Sequence, residues 1–190
     1  MEYLCKVIDS PTGKLTMVAR NSKLVAILWE KERPNRVRLG PMTEDANHPV
    51  LVETAKQLAD YFAGKRRSFD VLMEFSGTDF QKKVWSALLT IPFGETRTYG
   101  DIARQIGNEK AIRAVGAANG RNPISIIAPC HRVIGATGEL TGFAGGLHAK
   151  KLLLALEGHD VGANGQTVAS IALRSTATRS PGDMRQAPLF

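Results

Sequence analysis

At 190 residues, with 43% of them hydrophobic, the chain is long enough to bury a real core in one domain or two small ones. Its formal net charge of +7 is uneven: residues 80–158 hold ten basic and five acidic side chains, against twelve and eleven in residues 1–79, so the half that favours a polyanion is the second. Two distant cysteines, Cys5 and Cys130, make no disulfide framework, and the absence of a signal-like start or a membrane-length apolar run sets the expectation of a cytoplasmic chain with free thiols.

Alternation in the first thirty residues predicts three strands, over 3–8, 15–19 and 24–29. Turns at Ser10-Pro11-Thr12-Gly13 and Arg20-Asn21-Ser22 separate them, and the pattern reads as an antiparallel meander. The polar stretch 31–47 reads as a loop. Leu51, Ala55, Leu58 and Phe62 then share one face of a helix that Gly64 ends. Residues 65–77 read as a linker with a short strand at 71–73.

The second half opens on Thr78-x-x-Gln81, the pattern of a capping box. Phe80, Val84, Ala87, Leu88 and Ile91 follow at helical spacing, and Pro92-Phe93-Gly94 stops the helix. A second helix is expected over 99–106. Gly107-Asn108 turns the chain into a third, over 109–119, completing a helix-turn-helix pattern. The exposed face of that third helix is expected to be Arg113, Ala114, Ala117 and Ala118. Small side chains permit close backbone approach but carry none of the groups that read base edges.

Residues 126–135 read as a buried strand that sets Cys130 beside His131. Glycine-bearing loops flank it, 119–124 before and 138–146 after, and glycine lets backbone approach a ligand closely. An apolar-striped helix over 147–157 ends at Gly158. A thiolate formed near neutral pH is a nucleophile, and a nearby histidine is the usual means of generating it. Neighbours on a strand face opposite ways, so a water or third group would complete such a relay. A buried structural cysteine beside an unrelated histidine is the plainer alternative. His48, His131, His148 and His159 have no ligand spacing with either cysteine, and no phosphate-binding glycine loop follows a strand, so neither metal nor cofactor is expected. The Gly/Ala/Ser/Thr/Arg-rich segment 161–190 reads as a disordered tail.

These segments together resemble the O6-methylguanine-DNA methyltransferases of the bacterial single-protein type. The resemblance rests on the run from Arg113-Ala114-Val115-Gly116-Ala117-Ala118 through Asn119-Gly120-Arg121-Asn122-Pro123. It rests also on the core Pro129-Cys130-His131-Arg132-Val133-Ile134-Gly135 and the closing Glu157-Gly158. It is close over residues 80–158 and looser before. It implies an α/β (α+β) fold: a ribonuclease H-like domain over 1–76, with a three-stranded antiparallel sheet and a helix, then a helical, winged-helix-like domain over 77–160 that carries the cysteine.

The implied activity is stoichiometric, irreversible transfer of the alkyl group from O6-alkylguanine, and from O4-alkylthymine, in duplex DNA to Cys130. The implied relay runs from Cys130 through a water to His131, oriented by Glu157. Tyr99 corresponds to the tyrosine that assists the leaving guanine, and Asn122 to the residue that ties its turn to the cysteine segment. Arg113, Ala114, Gly116, Ala117, Ala118 and Gly120 correspond to a helix that sits in the minor groove, with Arg113 filling the stack left by a flipped nucleotide. Tyr99, Phe143, Ala144 and Gly145 line the implied pocket. Many relatives have Tyr where this chain has Phe143, which keeps an apolar wall but loses a hydroxyl. The implied partner is duplex DNA with alkylated bases and no membrane, bound by a monomer, with cooperative loading left open. Three rivals stand beside this reading: a non-enzymatic lesion binder of the same fold, a cysteine hydrolase using Cys130 and His131, and a helix-turn-helix regulator.

Overall fold

The computed structural model describes residues 2–162, so nearly all of the expected tail lies outside the described residues. The three expected strands form as β1 (Tyr3–Ile8), β2 (Leu15–Arg20) and β3 (Lys23–Trp29). They pair antiparallel, with Leu4 opposite Ala19 and Leu15 opposite Trp29, and a register shift falls between Val18 and Ala19. A fourth strand, β4 (Met42–Glu44), runs parallel to β1 inside the stretch read as a loop. All three of its side chains are exposed, so it has no apolar alternation to reveal it; backbone pairing alone draws it to the open edge of β1. At the other edge, Leu24 N–H donates to Leu72 O at 2.8 Å and Glu74 N–H to Leu24 O at 2.9 Å.

One sheet face carries Leu15, Met17, Ala19, Leu24, Ile27 and Trp29. Helix α1 (Pro49–Phe62) lays Leu51, Leu58 and Tyr61 on it, and Gly64, at φ +72°, lets the chain leave that helix. The same cluster takes in Ile124, Ile126, Ile127, Ala149 and Leu153 from the second half of the chain. The apolar run ahead of Cys130 is therefore spent on the N-terminal core. Burying each such side chain is worth about 1.5–3 kcal/mol, so the cysteine segment is held in large part by residues of the N-terminal half, far away in sequence.

The second core lies among three helices. The expected capping box of α2 (Asp79–Leu88) is present, and Thr98 with Asp101 forms another at the start of α3 (Tyr99–Gln105). The third helix departs from expectation: residues Glu109–Ala111 are a 3-10 turn, and α4 spans only Ile112–Asn119. Asn108, following a glycine at φ +74°, gives it no side-chain cap, so the first turn winds tightly. The expected exposure of Ala118 is also corrected. It is 3% exposed, packed in this core, and its carbonyl accepts from Trp85 Nε1 at 2.8 Å.

The cysteine segment is not the strand that its apolar content suggested. Pro123 and Pro129 cannot donate to a ladder, and Ile126 sits at φ +75°, a left-handed conformation costly for a β-branched residue. The chain instead makes a compact coil, then a 3-10 turn over Cys130–Arg132. Only Val133–Ile134 is strand (β6), parallel to β5 (Arg97–Thr98). Helix α5 (Gly146–Leu156) closes the fold, and Val161 beyond it packs with Ile134, Leu140 and Leu154.

Candidate active site

Cys130, 2% exposed, opens the 3-10 turn, and its N–H donates to Ala128 O at 2.8 Å. The coil leading to it is closed by Asn122, whose Nδ2 donates to Ala128 O at 2.7 Å while its Oδ1 accepts from Ile124 N at 3.1 Å. Burial pushes the thiol pKa up. A hydrogen bond from Asn122, the positive charges of Arg36 and Lys150, and Ser125 pull against that shift. The resting sulfur is thus a thiol among groups that favour its thiolate, and reaction requires a place for its proton.

His131 is wholly buried, with Nε2 2.9 Å from Glu157 Oε1. Burial pushes the imidazole pKa down, and Arg132 and Lys150 add to this, while Glu157 opposes it. The ring is therefore neutral at pH 7. With a carboxylate accepting at Nε2, the hydrogen sits there and Nδ1 keeps its lone pair. Nδ1 has no hydrogen-bond partner among the described residues. A neutral imidazole so oriented is a base at Nδ1.

Glu157 caps the C-terminus of α5, where a carboxylate opposes the helix dipole and would ordinarily sit in water. It is 5% exposed instead. Arg132 makes a two-pronged bond to it, Nε to Oε2 at 2.8 Å and Nη2 to Oε1 at 2.9 Å. Tyr61 donates its hydroxyl to Oε1 at 2.7 Å, and Gly94 N–H reaches Oε2 at 3.4 Å. Burial alone would raise the carboxyl pKa, but the hydrogen bonds and charges of His131 and Arg132 outweigh it and hold the group well below the usual carboxylate range.

Tyr99 opens α3, its ring facing Gly116 of α4 and its hydroxyl 2.5 Å from Thr141 Oγ1. Burial raises its pKa, partly offset by the bond to Thr141, so the phenol stays protonated. Phe143 stands edge-on to Trp29, with centroids 5.4 Å apart, and to His131 at 6.5 Å. Gly145 is flush against Trp29: a Cβ there would lie 2.6 Å from the indole. Ala144 is half-buried beside them. Arg113, Ala114, Ala117 and Gly120 are exposed on α4 and just after it.

Four further side chains that the sequence reading does not single out stand close to these groups. Arg132 belongs to the cysteine motif but has no task in the implied relay. Tyr61 lies outside the set of residues that marks the apolar face of α1 in the sequence, and Arg36 lies in the polar stretch 31–47. Arg36 pairs with Glu32 and donates to the carbonyls of Ile27 and Asn122. Lys150, wholly buried on α5, donates from Nζ to Val133 O at 2.6 Å and Thr141 O at 3.4 Å, and burial brings its pKa down to about 8. A charged residue on the apolar side of a helix was the available signal for Lys150; nothing local marks the other three. A cavity of about 500 Å3 lined by His48, Val50, Glu53, Asp70 and Leu72, among others, shares no residue with this site. No cluster of three metal-ligating side chains occurs among the described residues, and no helix there is long and apolar enough to cross a membrane.

Residues 3–75 match the family described as 6-O-methylguanine DNA methyltransferase, ribonuclease-like domain, and residues 79–159 its DNA binding domain. The chain is 51% identical over 154 residues to the methylated-DNA–protein-cysteine methyltransferase of Mycobacterium tuberculosis (strain H37Rv), covering 80% of this chain and 90% of that protein. It is 50% identical over 152 residues to the like-named protein of Methanosarcina acetivorans, covering 80% and 96%. A solved structure of Mycobacterium tuberculosis OGT in complex with DNA is similar with a TM-score of 0.75 and 50% identity, over 82% of this chain and 93% of that one.

Proposed function

Because the chain belongs to the 6-O-methylguanine DNA methyltransferase family, we propose that Cys130 is the residue that takes the alkyl group, in a single irreversible event per chain. The activity is that of a DNA repair methyltransferase that moves a methyl group from DNA to cysteine, and its partner is DNA. The observation that carries the assignment of residues is the buried pair of His131 and Glu157 at 2.9 Å, which leaves Nδ1 as a base beside a buried thiol.

In the reaction we infer, the Cys130 proton passes through a water to His131 Nδ1. The sulfur attacks the methyl carbon in line as the bond from that carbon to guanine O6 breaks. The electron pair passes into the purine, where the protonated hydroxyl of Tyr99 hydrogen-bonds to or protonates the leaving base. Glu157, charged and held by Arg132, stabilises the imidazolium formed on the way. The products are a thioether and an unmodified guanine. A thioether has no acidic proton and does not leave at neutral pH, which makes the event terminal for the chain. O4-alkylthymine fits the same chemistry, since an alkyl carbon on an exocyclic oxygen is attacked in each case.

An alkylated base inside a duplex cannot present its carbon to a buried sulfur, so we infer that it is flipped out of the stack. The exposed face of Arg113, Ala114 and Ala117 supports approach along the minor groove, with Arg113 entering the stack and Gly120 allowing backbone contact. Phe143, Ala144 and Gly145 form the pocket wall. We assign residues 1–76 and 77–160 to the two domains of the family and read the acting species as a monomer in the cytoplasm. Mass spectrometry after incubation with methylated duplex tests the assignment. We expect a single added methyl on the Cys130 peptide and a plateau at one methyl per chain. Methyl on another residue, or product beyond stoichiometry, would refute it and revive a hydrolase.

A further inference from the structure

Tyr61 is a large side chain with no exposure, on a helix of the N-terminal half, 96 positions from Glu157. Its ring sits among Phe62, Phe69 and Phe93. A phenylalanine would satisfy that packing without burying a hydroxyl, whose burial is costly unless it is hydrogen-bonded. The hydroxyl meets Glu157 Oε1 at 2.7 Å. The same oxygen takes His131 Nε2 at 2.9 Å and Arg132 Nη2 at 2.9 Å. Three donors thus share one carboxylate oxygen, and whatever Tyr61 draws from it is withheld from the imidazole.

We propose that Tyr61 is a positioning residue for alkyl transfer: its hydroxyl fixes Glu157 Oε1 and, by sharing that oxygen with His131, keeps the imidazole neutral until Cys130 delivers its proton. This rests on the relay through His131 described above. The groups facing the pair are Arg132 from the turn, Lys150 from α5, His159 after it, and Tyr61 from α1. Arg132 and Lys150 disfavour the imidazolium by charge, and the carboxylate favours it. Tyr61 is a neutral group acting on the carboxylate, so it trims that favour without adding a charge to the site. The carboxylate in turn holds the phenol protonated: burial and then the Glu157 charge push the Tyr61 pKa far up.

The test uses the full chain with two changes at position 61 of opposite effect. Tyr61→Phe removes the donor, and fluorotyrosine placed at position 61 alone is a stronger donor of the same shape. His131 is followed by nitrogen NMR across pH, and single-turnover transfer to methylated duplex is timed across the same range. With Tyr61→Phe, the His131 titration and the acid limb of the rate profile should move up by about half to one pH unit. Transfer on that limb then slows by roughly three- to tenfold, with the plateau rate kept. Fluorotyrosine should move both downward. Titrations that superimpose on that of the unaltered chain would overturn the proposal, as would shifts of the same sign for both changes. Should Tyr61→Phe fail to fold, the isosteric fluorotyrosine protein decides alone. Failure of the relay itself reads differently: the acid limb of the unaltered chain would not coincide with the His131 titration.

Discussion

Glu157→Gln keeps the shape of the side chain and removes the charge on which Arg132 and His131 both depend. The Arg132 side chain is 7% exposed and that of Glu157 not at all, so solvent cannot replace the lost partner. Taking one member from a buried ion pair costs about 3–5 kcal/mol, mainly for the charge left behind. Glutamine also turns an NH2 group toward donors, since Arg132 Nε and Gly94 N–H both point at Oε2. For a domain of this size, about 2–4 °C is lost per kcal/mol, so thermal unfolding followed by circular dichroism should fall by roughly 6–20 °C. The second change Arg132→Met should recover much of this loss, because an apolar replacement of a buried pair is nearly neutral. Transfer should not recover with it, since His131 has still lost the carboxylate charge that stabilises its imidazolium; a general base of this kind is worth about 10²–10⁴ in rate. A Glu157→Gln chain that melts like the unaltered one would refute the buried-pair argument. A stable double variant with full transfer rate would refute the relay.

Stability should fall with pH in two stages. His131, whose pKa is depressed on folding, contributes stability that is present above its unfolded value of about 6.5 and lost as pH drops through its folded value. Glu157 does the same from about 4.3 downward, so urea midpoints should decline in both windows, and Glu157→Gln should erase the lower stage. Cys130→Ser should abolish transfer while duplex affinity stays within about twofold, because phosphate contacts and not the thiol dominate binding; loss of binding would favour a structural cysteine. Arg113→Ala should slow repair of duplex at least tenfold more than reaction with free alkylguanine, which needs no flipping, and equal losses would deny it a place in the stack. Gly145→Ala should cost about 1–3 kcal/mol, since the new Cβ meets a rigid indole that cannot yield; unchanged stability and unchanged Trp29 fluorescence would show that the loop simply lifts away.

Periodicity exposed the elements whose own burial shapes them. Helices α1, α2, α3 and α5 each write an apolar stripe into the sequence, and Thr78 with Gln81 marks a start that the structure reproduces. Strand β4 leaves no such trace, because its three side chains are all exposed and none alternates into a core. The cysteine segment misled for the opposite reason. Its isoleucines are apolar because they fill a core built by β3 and α1, and that demand is met equally well by a coil. Pro129 in that segment and Pro123 just ahead of it are the correcting signal, and they outweigh hydrophobicity where a ladder is concerned. Arg113 and Ala118 show the same limit on a single helix: both fit an exposed small-residue face, yet Ala118 turns inward to serve Trp85.

What local pattern could not supply is the third dimension of the site. Tyr61, Trp29 and Arg36 each look ordinary in sequence: a helix-face aromatic, a strand-end aromatic and a loop cation. Each reaches across the chain to a different part of the reaction centre: Tyr61 to the carboxylate, Trp29 to the pocket loop and Arg36 to the turn at Asn122. Tyr61 and Trp29 belong to the core that also holds Ile124, Ile126 and Ile127 ahead of the cysteine, and Arg36 reaches in from the loop after β3. An element that served only as a platform would need apolar contact and nothing more. Polar groups this deep cost free energy unless they are paired, and here Tyr61 finds its partner in Glu157 and Arg36 one of its own in the Asn122 carbonyl. The N-terminal half therefore sets the electrostatics around Cys130 as well as its position, and a change in that half can alter the chemistry without touching any residue of the cysteine motif.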